Sequence, residues 1–382
     1  MKRIIAIIST IPLIIFTSSC KEQNNYKNSK EIFNNFYYVR MDDGVIYRNN
    51  SMPSLLDFES MKTTIICNIP NCAHDSDCII KALMDEDQLP IIYNDCAYYF
   101  ENNASYKENS EKLELVLSSK LKKYNFADCK FSDVATIKDH NINIDDGCYL
   151  VGSDYYFTTN TGNPVYDTVG NVTSYNSGGG GNLFSINLDN GKVTDYGEIF
   201  DYKKLKEEFP SAQKSLSMYL MGKLDNKLHI GINYMKEELT PEMMQNGNTP
   251  LWCGMTYTFD LDNHTIEKYN DEFSMCSMND YHSYFTNDQN TLLTLQNVRT
   301  GEIYNGPDIV SWNAMSIFDD KVWHDDAKCF DIKTGKEVKV SSFDYGQVIA
   351  KYKDSYIFAG TDKNGNTVFE KIISKEIDKL FE

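Results

Sequence analysis

Hydrophobic and polar positions along this chain alternate over short runs broken by turn residues, a period that suits half-buried strands. Two local patterns recur. In the first, a polar Asn or Asp leads an aromatic or aliphatic run. It occurs at Asn35 to Val39, Asp95 to Phe100, Asp154 to Phe157, Asn226 to Ile230, Asp280 to Phe285, Asp320 to Trp323 and Asp354 to Phe358. In the second, a tight polar turn joins two such runs. Asn187 to Val193, Asn297 to Ile303 and Asp331 to Glu337 are clear forms, each with a glycine at the tip. Asp57 to Lys62, Asp260 to Ile266, Asp362 to Gly365 and Leu117 to Lys120 are looser forms. Glycine suits the tip because it reaches positive φ without steric cost.

The two patterns alternate from one end of the chain to the other. A unit of one strand plus one hairpin cannot bury both of its faces alone, whereas radial stacking of such units does so and leaves only short sheet edges. The repeat therefore predicts an all-β fold, a β-propeller of about seven blades over residues 35–375. The uneven unit spacing leaves six or eight blades open. A pair of β-sandwiches is the competing architecture, but it does not account for one signature repeated throughout. Helical signals are few: Tyr202 to Phe209 before Pro210, Thr240 to Met244 with Pro241 in its first turn, and Ser374 to Phe381 near a C-terminal tail over 376–382. The first two read as short helices on a rim. Gly178 to Gly181 lacks the Lys-Ser/Thr of a phosphate loop and reads as a hairpin tip.

Composition supports strands: among 382 residues there are 26 Tyr and 20 Phe. The formal charge of −18 repels phosphate backbones and argues against nucleic acid as a partner. The N-terminus reads as an export signal over residues 1–19. Lys2 and Arg3 precede an apolar run from Ile4 to Phe16 that is too short for a stable membrane span. Thr17-Ser18-Ser19-Cys20 then resembles a bacterial lipobox, with Thr17 where Leu is usual. That likeness implies acylation of Cys20, a membrane anchor through lipid and residence on the extracellular face. Residues 20–34 are polar and read as a tether.

Ten cysteines, less Cys20, leave an odd nine, so at least one thiol stays free if the rest pair. The densest chemistry lies between Thr64 and Ile80, where Cys67, Cys72, His74 and Cys78 follow one another in the spacing Cys-x4-Cys-x-His-x3-Cys. In an exported chain one disulfide within Cys67, Cys72, Cys78 and nearby Cys96 is the expected state. A structural metal held by three thiolates and His74 is a second reading, with the single residue between Cys72 and His74 counting against it. Free thiols packed as small hydrophobes are a third. Nucleophilic catalysis by Cys72 with His74 as base would need an orienting acid that the sequence does not supply. The Cys67, Pro70, Cys72, His74, Cys78 loop ahead of a propeller-like repeat resembles uncharacterised lipoproteins of clostridial and related low-GC Gram-positive bacteria. That resemblance implies a surface lipoprotein and conveys no activity.

His324-Asp325-Asp326 reads as a turn, and His229, His264 and His282 read as isolated structural residues. No hydrolase elbow, zincin helix, phosphate loop or dinucleotide fingerprint occurs. These readings together lead to a monomeric surface binding or scaffolding module for a glycan, peptide or protein, with no cofactor beyond a structural metal. An exported hydrolase or lyase working in the propeller channel, or a metal-dependent sensor using the Cys/His loop, are the alternatives.

Overall fold

The structure, a computed structural model, describes residues 31–34, 38–49, 52–67, 89–109, 112–142, 147–160, 163–166, 172–176, 181–210, 216–235, 252–270, 276–278, 280–285, 292–308, 315–324, 328–340, 346–362 and 366–382. It also describes single positions between these, including Ser29, Cys72, His74 and Cys78. Residues 1–19, read from the sequence as an export signal, together with Cys20 and Gly178 to Gly180, lie outside the described residues. Among the described residues no helix is long and apolar enough to cross a membrane.

The chain begins with β1 (Glu31–Asn34) and then forms a seven-bladed β-propeller of antiparallel sheets, each blade contiguous in sequence. Blade 1 contains β2 (Tyr38–Arg40), β3 (Gly44–Asn49), β4 (Met52–Asp57) and β5 (Lys62–Ile65). Blade 2 contains β6 (Ile91–Tyr93), β7 (Cys96–Asn109), β8 (Lys112–Asn125) and β9 (Lys130–Lys138). After β10 (Asn141–Ile142), blade 3 is built from β11 (Cys148–Val151), β12 (Asp154–Asn160), β15 (Asn182–Asn187) and β16 (Val193–Glu198). A separate hairpin, β13 (Asn163–Tyr166) with β14 (Val172–Asn176), interrupts it, and the helix α1 (Tyr202–Glu208) follows it.

Blade 4 contains β17 (Ser217–Leu224), β18 (Lys227–Met235), β19 (Trp252–Asp260) and β20 (Ile266–Asn270). Blade 5 contains β21 (Cys276–Met278), β22 (Tyr281–Phe285), β23 (Leu292–Asn297) and β24 (Ile303–Asp308). Blade 6 contains β25 (Ser316–Phe318), β26 (Lys321–His324), β27 (Lys328–Asp331) and β28 (Glu337–Lys339). Blade 7 has three strands, β29 (Gly346–Tyr352), β30 (Ser355–Thr361) and β31 (Thr367–Ile373), and the helix α2 (Ser374–Asp378) packs beside β31. Apolar clusters span blades 1 to 3, 3 and 4, 5 and 6, 6 and 7, and 7 and 1. Val45, Tyr47 and Leu56 of blade 1 meet Ile349, Ile357 and Ala359 of blade 7, so the ring closes through side chains and not through a shared strand. Ile377 of α2 is buried against Trp323 and Phe358 and fills the edge that a fourth strand would cover.

One hydrogen bond recurs in every blade and explains the alternating sequence patterns. Each blade has an inner turn between its first two strands and an outer turn after its third. The second residue of the outer turn donates its N–H to a carbonyl of the inner turn: Phe58 to Asp43, Phe126 to Asp95, Leu188 to Ser153, Leu261 to Asn226, Val298 to Asp280, Ile332 to Asp320 and Ser374 to Asp354. Within the outer turn the leading Asp or Asn accepts backbone N–H groups on its side chain, as Asp331 Oδ1 does from Lys333 and Thr334. The tip residue is left-handed, with φ between 53° and 73° at Met61, Cys129, Gly191, His264, Gly301 and Gly335. Both turns of a blade therefore lie on one face of the ring.

The expected repeat holds, with three corrections of phase. Leu117 to Lys120 is no turn but the middle of β8, where the Ser119 hydroxyl is satisfied by Asn102 Oδ1 and the His140 carbonyl. The outer turn of blade 2 is Asn125 to Lys130 instead. Asp362 leads the β30–β31 connection, not an outer turn. In blade 1 the counterpart of the leading polar residue is Asp43 before β3, not Asn35.

The N-terminal boundary also moves. Residues 31–34, read as the end of a tether, form β1, which pairs antiparallel with β2 on one side and β11 on the other. β2 and β11 are the innermost strands of blades 1 and 3, so β1 lies on the axial side of both, where an open channel would otherwise run. Ile32 of β1 is fully buried in the apolar cluster shared by blades 1, 2 and 3. Glu31 reaches across to Lys223 of blade 4, Oε1 to Nζ 2.6 Å.

Candidate functional site

The Cys/His loop leaves blade 1 at the end of β5 and returns at the start of blade 2. Its two ends are fixed by apolar residues with no exposure, Ile66 and Ile80. The Ile66 N–H also donates to the Pro53 carbonyl at 2.8 Å. Between them the chain folds tightly: the Cys72 N–H donates to the Ile69 carbonyl at 3.2 Å, and the Ile69 N–H donates to the Cys67 sulfur. His74 has a left-handed backbone, φ 56°. That bend lets Cys72 and His74, one residue apart, both aim inward, which removes the sequence-based objection to their acting together.

The Sγ atoms of Cys67, Cys72 and Cys78 and a ring nitrogen of His74 all lie within 4.8 Å of one another. The Cys67 and Cys78 sulfurs are 3.9 Å apart. The expected disulfide within Cys67, Cys72, Cys78 and Cys96 is not formed, since all four are free thiols. Cys96 is buried at the start of β7, in the same apolar cluster but outside the group of four. Burial pushes the Cys67 thiol up to about 12, with the Cys78 and Cys72 sulfurs adding and the Ile69 amide opposing. Such a thiol is a poor nucleophile at neutral pH. His74 Nδ1 is buried with no hydrogen-bond partner among the described residues, and none of these presents an acid to the ring.

A second feature escaped sequence reading because it is assembled from four blades. Two cavities open on the face that carries the turns. One, of about 590 Å³, lies between blades 4 and 5 and is lined by Asp225, Lys227, His229, Tyr269 and Arg299 among others. The other, of about 460 Å³, reaches blades 6 and 7 and is lined by Lys223, Asp280, Arg299, Asp319 and Lys351 among others. Leu224 and Arg299 line both cavities, so the two lie side by side. Arg299 clamps Asp225 in a bidentate pair at 2.8 and 3.0 Å and holds Asp280 through Nε at 2.6 Å. Tyr281 donates its hydroxyl to Asp320, and Lys351 pairs with Asp319.

The carboxylates of this face whose proton affinity is displaced move downward. The Arg299 guanidinium lowers Asp225, and the amides of Asn263 and Asp262 lower Asp260. At Asp320 burial opposes the ionised form, but Lys333 and Tyr281 outweigh it. The floor beneath Tyr269 holds a pair that the sequence left as singletons: His282 Nε2 and His229 Nδ1 lie 3.0 Å apart, bridging blades 5 and 4. Burial lowers His229 to about 4, with Lys227 adding, and lowers His282 to about 3, with His229 adding. The Tyr269 ring packs against both imidazoles and is 38% exposed. His324, by contrast, is buried with Nε2 3.0 Å from Glu337 Oε2, and Asp325 and Asp326 lie outside the described residues.

No protein-family model matches the chain, and no curated protein matches it. Solved structures of similar fold include a polysaccharide lyase of family PL25, an ulvan lyase, at 9% identity and TM-score 0.39, covering 91% of this chain and 94% of that one. The acylaminoacyl peptidase of Pyrococcus horikoshii matches at 10% identity and TM-score 0.33, covering 76% of this chain. The chain spans about half of that peptidase, 52% of its length. The extracellular domain of a hybrid two-component system from B. thetaiotaomicron matches at 8% identity and TM-score 0.36, over 90% of this chain and 41% of that one. These likenesses concern the fold alone.

Proposed function

We propose that the protein is a cell-surface binding module, held by a lipid on Cys20, that seats a polar glycan over the two adjacent cavities of blades 4 to 7. The observation that carries this reading is the adjacent pair of cavities, with Arg299 lining both and the half-exposed Tyr269 on the wall of the larger. An aromatic ring offers a flat face to a sugar, while ion-paired side chains around it supply donors and acceptors for hydroxyl groups. The downward-displaced carboxylates favour binding over catalysis, because a glycoside hydrolase needs one carboxyl held protonated. A hydrolase or lyase working in the channel is less well supported, because β1 lies along the axis. The resemblance to clostridial-type surface lipoproteins agrees with this location.

Calorimetry of the full chain with cell-wall oligosaccharides tests the proposal. Tyr269→Ala is expected to weaken binding on the order of tenfold, about 1.4 kcal/mol. Arg299→Ala is expected to weaken it further by releasing Asp225 and Asp280 into the cavities. Binding that both variants leave intact would place the ligand elsewhere, and absence of any glycan binding would remove the proposal.

A further inference from the structure

We infer that Cys67, Cys72, His74 and Cys78 form a tetrahedral zinc site that staples blade 1 to blade 2. The argument is geometric. In a regular tetrahedron with Zn–S bonds of about 2.3 Å, neighbouring sulfurs sit about 3.8 Å apart. The Cys67 and Cys78 sulfurs are 3.9 Å apart, and all four ligand atoms fall within 4.8 Å. A disulfide needs a sulfur separation of about 2.05 Å and uses two sulfurs. It would leave a third thiol and the imidazole converging on the same point for no purpose.

Three further features fit a metal. His74 Nδ1 is a buried nitrogen with no partner among the described residues, and a cation between the sulfurs would satisfy it. The residue reaches that place through a left-handed backbone, a strained conformation for a non-glycine that a ligand bond offsets. The Ile69 N–H points at the Cys67 sulfur, a hydrogen bond that stabilises a metal-bound thiolate from outside the first shell. The location supplies a purpose. Blade 2 is a sheet of its own, separate from the sheet that holds blade 1, and the two blades are joined in sequence through this loop. Four bonds from both ends of the loop to one ion would fix the crossover at a point where no strand pairing does.

Three thiolates, one neutral imidazole and Zn²⁺ carry a net charge of −1, so binding from the thiol form releases three protons to solvent. No electron transfer is involved.

The test uses the full chain purified under reducing conditions. Elemental analysis is expected to find about one zinc per chain. Replacement of zinc by Co²⁺ is expected to give the intense visible bands of tetrahedral cobalt–thiolate coordination. Cys78→Ser and His74→Ala are expected to weaken or abolish those bands, and Cys96→Ser is expected to keep them. Because Cys78 is buried and its replacement could disturb folding, the wild-type cobalt spectrum carries the test alone. A chain that takes up no zinc or cobalt would overturn the inference. So would weak octahedral cobalt bands, or a mass loss of two hydrogens mapped to a disulfide among these cysteines that survives the reducing purification.

Discussion

Ile32→Ala separates a structural N-terminal strand from the end of a tether. In a tether the substitution would be silent. In the structure Ile32 has no exposed surface and lies in the cluster shared by the first three blades, opposite Leu150 on β11. Alanine removes three side-chain carbons. At roughly 0.8 kcal/mol per buried carbon the transfer loss is about 2.4 kcal/mol. β1 is held on both sides by strands and cannot collapse inward, so a residual cavity adds to this and brings the expected loss to about 3–4 kcal/mol. Ile303→Ala is the matched control, because Ile303 is 61% exposed and its loss should stay within about 0.5 kcal/mol. Urea unfolding followed by tryptophan fluorescence and far-ultraviolet dichroism measures both. The Lys223–Glu31 pair should add modestly, since Glu31 is 42% exposed and water screens the pair in part, and Glu31→Gln is expected to cost on the order of 1 kcal/mol. An Ile32→Ala loss no larger than that of Ile303→Ala would refute the axial strand.

The His229–His282 pair makes the fold acid-sensitive. Burial holds both imidazoles neutral in the native state, below the ordinary 6.5, while the unfolded chain binds their protons. Their contribution is therefore whole above pH 6.5 and falls as pH drops toward the native values of about 4 and about 3. By pH 5 the loss should reach roughly 2 kcal/mol per histidine, read as a falling thermal midpoint; a midpoint that stays flat between pH 7 and pH 5 contradicts it. Gly335 has φ 69° with nothing within 4 Å of an added Cβ, so Gly335→Ala pays for backbone strain alone, about 1 kcal/mol in urea unfolding, and Gly335→Asn recovers part of it. At Gly181 an added Cβ would fall 1.8 Å from the Thr159 carbonyl oxygen, so Gly181→Ala should cost clearly more than Gly335→Ala in the same assay.

The hydrogen bond between the two turns of each blade decides how much of this fold was legible. The patterns read from the sequence as two motifs are the two ends of that one interaction, and for that reason they alternate. Where both ends use residues with a strong local signature the unit was placed correctly. Asp280 with Asn297 to Gly301, and Asp320 with Asp331 to Gly335, are such cases. In blade 2 the left-handed tip is Cys129, so no glycine marks it, and the serines of β8 imitated a turn because their partners lie on other segments. In blade 7 a helix stands where the outer turn would be, yet Ser374 still donates to Asp354, so the tie outlasts its sequence signature. β1 was illegible for another reason. Four residues that pair with strands of blades 1 and 3 carry no local period that could report either partner. The Cys/His loop shows the converse. Its four chemistry-bearing residues were plain in the sequence, but their convergence was not, since the left-handed backbone that carries the His74 ring to the three sulfurs has no glycine to mark it.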